Sequence, residues 1–417
     1  MAEKVVKTKK DNKQSKFKKA NPIVWFIFFT FSRIFMKIKG RIKWDNKVLR
    51  QRNKKEGAII LFNHLTNHDH FICAANAGFA RLTYVVSNYY MRNPLTNILL
   101  RLVRAIDKVQ FRTDLVCIRK MKRAVEHKGL VAIAPAGQVS IHGELTYVDP
   151  SIVKLLKLCK VDVYAFQVYG GYICLPKWRT DRKSRRTRIR VKTIKVISKE
   201  ELSMLSDEEI LNKVIEAINV SEHAVQKVEP QKLNFKNRIE GIENILYVCP
   251  KCKEKYAHVT KGAIMKCKHC GNEIFMDEYA FIKPASPDDI CFENEAVWYD
   301  WQSKLIEEKF KQDDFHMENR FKLYRNLRNP KKMEEVGEGK LTMTKNALYY
   351  DGTSSGEVIH KEFSFDILTQ LPFSPGRHFE VPDGDGSFQF RPLDEPETIL
   401  EWVQTIDTIN SLKRNSL

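Results

Sequence analysis

Ala58-Ile59-Ile60-Leu61-Phe62-Asn63-His64-Leu65-Thr66-Asn67-His68-Asp69-His70-Phe71 is the stretch on which the reading of this chain turns. Its first five residues are apolar in succession, as in a short strand buried on both faces. A polar, histidine-rich segment follows at once, and loops after strands are where α/β proteins present reactive groups. Four residues separate His64 from Asp69. A chain that turns from strand into helix here brings the carboxylate back to the imidazole. That carboxylate fixes the tautomer at one ring nitrogen and leaves the other facing outward as a base. The imidazole reference pKa of roughly 6.5 suits proton abstraction near neutrality. Such a dyad needs no serine if the substrate's own hydroxyl is the nucleophile. His64, His68, Asp69 and His70 are also good zinc donors. Their H-x-x-x-H-D-H spacing, however, differs from the H-x-H-x-D-H run of the metallo-β-lactamase family.

Outward from this loop the same texture continues. Leu82–Val86, Leu130–Ala134, Asp162–Val168 and Arg188–Ile197 read as strands, and Thr113–His127 reads as a helix ended by Lys128-Gly129. Ser206-Asp207-Glu208-Glu209 is a capping box that opens a helix with Ile210, Leu211, Val214, Ile215 and Ile218 on one side. Strands alternating with helices over roughly 170 residues predict an α/β layered fold.

Three further segments join the first in a recognisable order. Asn63, His64 and Asp69 fit N-H-x-x-x-x-D; Val109-Gln110-Phe111-Arg112 places Phe-Arg after a strand; Ile133-Ala134-Pro135-Ala136-Gly137-Gln138 places Pro-x-Gly after a strand. On these motifs, residues 45–220 resemble the glycerolipid acyltransferase family, which includes the lysophosphatidic acid acyltransferases. The resemblance implies a fatty-acyl thioester donor (acyl-coenzyme A or acyl-carrier protein) and a lysophospholipid acceptor such as 1-acyl-glycerol-3-phosphate. It implies His64 as base and Asp69 as its orienter. Asn63, Phe111, Arg112, Pro135, Gly137 and Gln138 would line the substrate site, with Arg112 on the acceptor's phosphate. A guanidinium suits that task because it binds phosphate bidentately. The family's third motif is F-P-E-G, and here its Glu is replaced by Ala136. Gln138, Ser140 or Glu144 substitutes for that carboxylate, the acceptor differs, or activity is weak or lost. The alternative reading is therefore an inactive lipid-binding membrane adaptor on the same fold.

Charge and hydropathy extend the picture. The 417 residues carry a formal net charge of +20, which favours anionic partners. Residues 1–20 hold eight lysines and two acids, a disordered basic tail. Residues 177–195 hold ten Lys or Arg and one Asp, whereas residues 336–417 hold seven basic and thirteen acidic side chains. Pro22–Met36 is apolar and aromatic but short of the roughly 20 residues a spanning helix needs, and it contains Arg33. Residues 21–55 are thus expected to be membrane-interface anchor helices. Beside the lysine tail they would hold residues 56–225 against anionic lipid on the cytoplasmic face of a membrane. A long basic chain with a zinc module also invites a nucleic-acid reading. The anchor argues against it, and within the cysteine segment Tyr247 and Tyr256 alone are available for stacking.

Cys249-Pro250-Lys251-Cys252 and Cys267-Lys268-His269-Cys270-Gly271 form two C-x-x-C knuckles fourteen residues apart. Four thiolates predict a closed, structural zinc site in a ribbon spanning 245–275. Cys73, Cys117, Cys159, Cys174 and Cys291 lie scattered in apolar settings, the usage of a reducing compartment. Residues 294–328 read as a helix, making 290–330 a helical linker. From Gly337 the period becomes two, in runs separated by Gly, Pro and Asp turns, and a terminal helix carries Ile399, Trp402, Val403, Ile406 and Ile409. Residues 336–417 therefore resemble a pleckstrin-homology-like domain.

Overall fold

A computed structural model describes residues 17–109, 114–179, 181, 183–325, 333–366, 368–383 and 386–415. Three sheets account for its strands. The first has seven: β1 (Lys43–Asp45), β2 (Ala58–Phe62), β3 (Leu82–Ser87), β4 (Ile106–Lys108), β5 (Leu130–Ile133), β6 (Asp162–Tyr169) and β7 (Arg190–Ile197), in the order β1-β7-β6-β2-β5-β3-β4. β6, β2, β5, β3 and β4 run parallel, and β7 returns antiparallel on β6.

Both faces of this sheet are covered, which is why β2 is apolar at every position. Ile60, Tyr164 and Phe166 face a core shared with Trp25, Phe29 and Met36 of the N-terminal helix Pro22–Gly40. Ile59, Leu61 and Val163 face the opposite core, under helices Leu115–Glu126, Ser151–Cys159 and Asp207–Ile218. The expected capping box is present: Ser206 accepts from the Glu209 amide and Glu209 from the Ser206 amide.

The N-terminal helix lies against the protein along one side only. Trp25 Nε1 donates to the carbonyl of Gly78 at 2.7 Å, and Arg33, whose charge interrupts the apolar run, donates to Ala75 and covers the ring of Trp44. Among the described residues no helix is long and apolar enough to cross a membrane.

The second sheet is the cysteine module: β8 (His258–Lys261), β9 (Ile264–Cys267), β10 (Glu273–Met276) and β11 (Ile282–Pro284), all antiparallel. It is not a separate bead. Leu246, Tyr247, Met265 and Ile274 belong to the same core as β2 and the N-terminal helix.

The expected helix over 294–328 needs correction. Helix Glu295–Lys311 ends at Gln312, and Met317–Arg325 is strand β12. Met317, Phe321 and Leu323 are buried on one side of it, and the strand pairs on both edges, with β13 (Glu334–Met343) and β18 (Gly386–Pro392). Burial at period two outweighs the helix propensity of its charged residues. With β14 (Ala347–Ser354), β15 (Glu357–Ser364), β16 (Phe373–Ser374) and β17 (His378–Asp383) it forms a seven-stranded antiparallel sheet. Trp402 of the terminal helix Thr398–Asn415 plugs that sheet against Phe321 and Phe379. The C-terminal domain therefore begins well before residue 336.

Candidate active site

Because β2, β3 and β5 are parallel, the loops after them leave the same edge of the sheet, where open α/β sheets bind ligands. Two contacts fix the first loop. The Asn63 side-chain amide donates to the carbonyl of Val168 at 2.7 Å, and its Oδ1 accepts the Val168 amide at 2.8 Å. The carbonyl of His64 accepts from the amide of Ser140 at 2.8 Å, which ties this loop to the one after β5.

Helix Asp69–Ala77 begins at the carboxylate that was expected to return to His64. It does return: His64 Nδ1 lies 2.6 Å from Asp69 Oδ2. The same oxygen accepts the amides of Leu65 at 2.9 Å and Thr66 at 3.1 Å. A carboxylate only accepts, so Nδ1 carries the proton, and in the neutral ring Nε2 is the nitrogen with the free lone pair. The Asp69 side chain is 2% exposed and that of His64 is 25% exposed, so the carboxylate is sealed while the imidazole reaches solvent.

His64 lines a small cleft with Ala136, Ser140, Glu144, Thr146 and Ile218. Burial raises the Glu144 carboxyl above the usual range; the Ser221 hydroxyl donates to it at 2.6 Å and opposes that shift. Thr146 Oγ1 is buried without a hydrogen-bond partner. Ala136, standing where the family motif has Glu, contributes only apolar surface here, whereas Ser140 and Glu144 supply oxygen atoms. Thr146 and Ile218 had no signal in the sequence, since neither belongs to a motif and Ile218 arrives from the end of a distant helix.

The remaining expected residues divide. Pro135 and Gly137 sit in the turn after β5; Gly137 has φ +70°, a conformation that glycine adopts without strain. Gln138 points elsewhere, its Nε2 donating to the carbonyl of Leu371 in the C-terminal domain at 3.1 Å. Asn63 also borders the cleft, and both of its amide atoms bond to Val168, which holds the loop. Phe111 and Arg112 lie outside the described residues. His68 stacks on Phe35, and burial pushes His70 down to about 3. Among the described residues, these histidines form no metal-holding group with Asp69.

The basic run 177–195 is only partly a surface. Arg179 donates to Asn237 and pairs with Asp181, while Arg185 donates to Arg238 and packs on Trp178; both arginines are buried. They fasten the sheet to the segment leading into the cysteine module.

In that module the sulfur atoms of Cys249, Cys252, Cys267 and Cys270 all lie within 4.8 Å of one another. Cys249–Cys270 is 3.7 Å and Cys252–Cys267 is 3.8 Å. Tetrahedral thiolates about 2.3 Å from zinc stand about 3.8 Å apart, so the four fit that ion. Disulfides would need about 2.05 Å. Val248, next to Cys249, accepts from Trp298 Nε1 and donates to Gln302 Oε1, so the knuckle is anchored to helix Glu295–Lys311.

No protein-family model matches the chain, and no curated protein matches it. Among solved structures, it is similar to the crystal structure of the 1-acyl-sn-glycerophosphate (LPA) acyltransferase, PlsC, from Thermotoga maritima. The identity is 17% and the TM-score 0.41, over 49% of this chain and 79% of that one.

Proposed function

We propose that this chain is an acyltransferase that moves a fatty-acyl group from a thioester to the hydroxyl of a lysophospholipid at a membrane surface. The observation that carries the reading is the His64–Asp69 pair, sealed at the carboxylate and open at the imidazole, on the wall of a cleft. Nε2 of His64 takes the proton of the acceptor hydroxyl as its oxygen attacks the thioester carbonyl carbon. The C–S bond then breaks, and the thiolate leaves with the proton returned by the imidazolium. General-base assistance of this kind is worth on the order of 10²–10⁴-fold.

Asp69 orients the base, and Asn63 holds the loop in register with β6. Arg112 is the proposed clamp on the acceptor's phosphate. Ser140 and Glu144 are the groups beside His64 that would meet the glycerol in place of the family's Glu. The donor is acyl-coenzyme A or acyl-carrier protein, the zinc is structural, and the chain works peripherally on the cytoplasmic face of a membrane. The test is release of free thiol from acyl-coenzyme A by the full chain, with and without lysophosphatidic acid, with mass spectrometry of the lipid product. Thiol release that depends on the acceptor and yields a diacyl lipid supports the reading; none with any lysophospholipid overturns it.

A further inference from the structure

The N-terminal helix leaves one side largely exposed: Ile23, Phe26, Ile27, Phe31, Ile34 and Ile38 are 50–70% exposed. A second apolar face was not anticipated. Helix Pro94–Leu102 follows β3, and its Leu95, Ile98, Leu99 and Leu102 are 48–74% exposed. Their i, i+3, i+4, i+7 spacing makes one continuous stripe. Asn93 caps the helix by accepting the amides of Leu95 and Thr96, so the stripe is displayed on a formed element.

Both helices lie toward the edge of the sheet that carries His64. Phe28, Phe31 and Phe35 pack on Phe71, and Phe35 also stacks on His68. On the other side, β3 is parallel to β5 and β5 to β2, so the segment from Asn88 to Leu102 leaves the sheet at the edge that carries His64. Tyr90, in that segment, has its phenol raised first by burial and then by the charges of Tyr89 and Asp69.

The charge around the two faces points to their occupant. Residues 88–106 contain three arginines and no acid, and residues 17–44 contain seven Lys or Arg and no acid. Arg101 and Arg104 are exposed beside the stripe. Nine helical residues span about 13 Å, far less than a hydrocarbon core of roughly 30 Å. Such a helix lies in the plane of an interface, with its apolar side in the acyl region and its cations among anionic headgroups.

We infer that helix Pro94–Leu102 is a second lipid-inserting element, which together with the N-terminal helix seats the His64 edge of the sheet on an anionic bilayer. This rests on the lipid-surface part of the proposed function and adds a site to it. The test uses the full chain and vesicles of phosphatidylcholine with and without phosphatidylglycerol. Flotation of Ile98→Asp/Leu99→Asp is expected to show affinity for the anionic vesicles about tenfold lower or worse, with an unchanged circular dichroism spectrum. The added fluorescence of Leu99→Trp is expected to be quenched by brominated acyl chains, which a merely damaged fold would not produce. Wild-type affinity in the double variant, or no quenching, overturns the inference. So does a change from dimer to monomer in the double variant with vesicle binding intact, which would assign the stripe to a second copy. Loss of binding in Ile27→Asp but not in the double variant removes this element and leaves the N-terminal anchor. Failure of the acyl-transfer reading would appear separately, as no turnover with detergent-dispersed acceptor.

Discussion

Oδ2 of Asp69 stands 2.6 Å from Nδ1 of His64 and is also the oxygen that takes the amides of Leu65 and Thr66. One atom thus sets both the tautomer of the base and the shape of the loop that carries it. Asp69→Asn should separate these effects poorly. A single side-chain atom must stand where Oδ2 stood: an amide oxygen there keeps the two backbone amides and the ring N–H without the negative charge, whereas an amide nitrogen meets the two amides donor to donor and drives the ring proton to Nε2. Acyl transfer should fall by about 10²-fold or more, and stability by about 1–3 kcal/mol. Steady-state kinetics beside urea unfolding checks both. A variant with normal turnover would mean that the carboxylate only shapes the loop.

Asn63 gives a contrasting case. Asn63→Ala leaves both the amide and the carbonyl of Val168 without their buried partner. At about 1–3 kcal/mol for each orphaned group, the urea midpoint should drop by the equivalent of about 2–6 kcal/mol. Turnover should weaken through misplacement of the loop, since both amide atoms are engaged with Val168. An unchanged midpoint with a higher KM would instead return Asn63 to the substrate site.

The sulfur spacing in the cysteine module predicts one zinc per chain. Cys252→Ser should lower zinc content measured by mass spectrometry of the metal. It should also destabilise the C-terminal half, because Lys255 and Tyr256 of the module bind Glu401 of the terminal helix. Full-length protein that holds no zinc yet unfolds at the same midpoint with or without chelator would refute a structural ion.

His142 supplies a pH dependence. Its Nδ1 accepts the Glu144 amide, and burial, then the charge of His223, lowers the imidazole to about 4. The unfolded chain takes up that proton near pH 6.5 and the folded chain only near 4. The group's contribution is therefore intact above about 6.5 and lost as pH falls toward 4, by about 3 kcal/mol in all. Urea midpoints measured from pH 7 to 4.5 should fall less steeply in His142→Asn, which keeps an acceptor at the Nδ1 position and cannot titrate.

Much of this site was legible because its signals are local. The five-residue apolar run of β2 and the spacing of His64 to Asp69 need no tertiary knowledge. What stayed hidden depends on partners distant in sequence. Three-residue strands β1 and β4 carry too few residues to show a period and exist because β7 and β3 pair with them. β12 was mistaken for helix because its charged residues mask the alternation of Phe321 and Leu323. Arg179 and Arg185 looked like surface cations, yet backbone carbonyls at Asn237 and Arg238 draw them inside. Gln138, similarly, is claimed by Leu371 across 233 positions.

Acyl transfer by His64→Ala, compared with wild type under matched folding by circular dichroism, bears most directly on the dyad as the catalytic centre. Turnover with acyl-coenzyme A and lysophospholipid should fall by about 10²–10⁴-fold while vesicle binding persists. Equal turnover in the two proteins would contradict the assignment of His64 as the base.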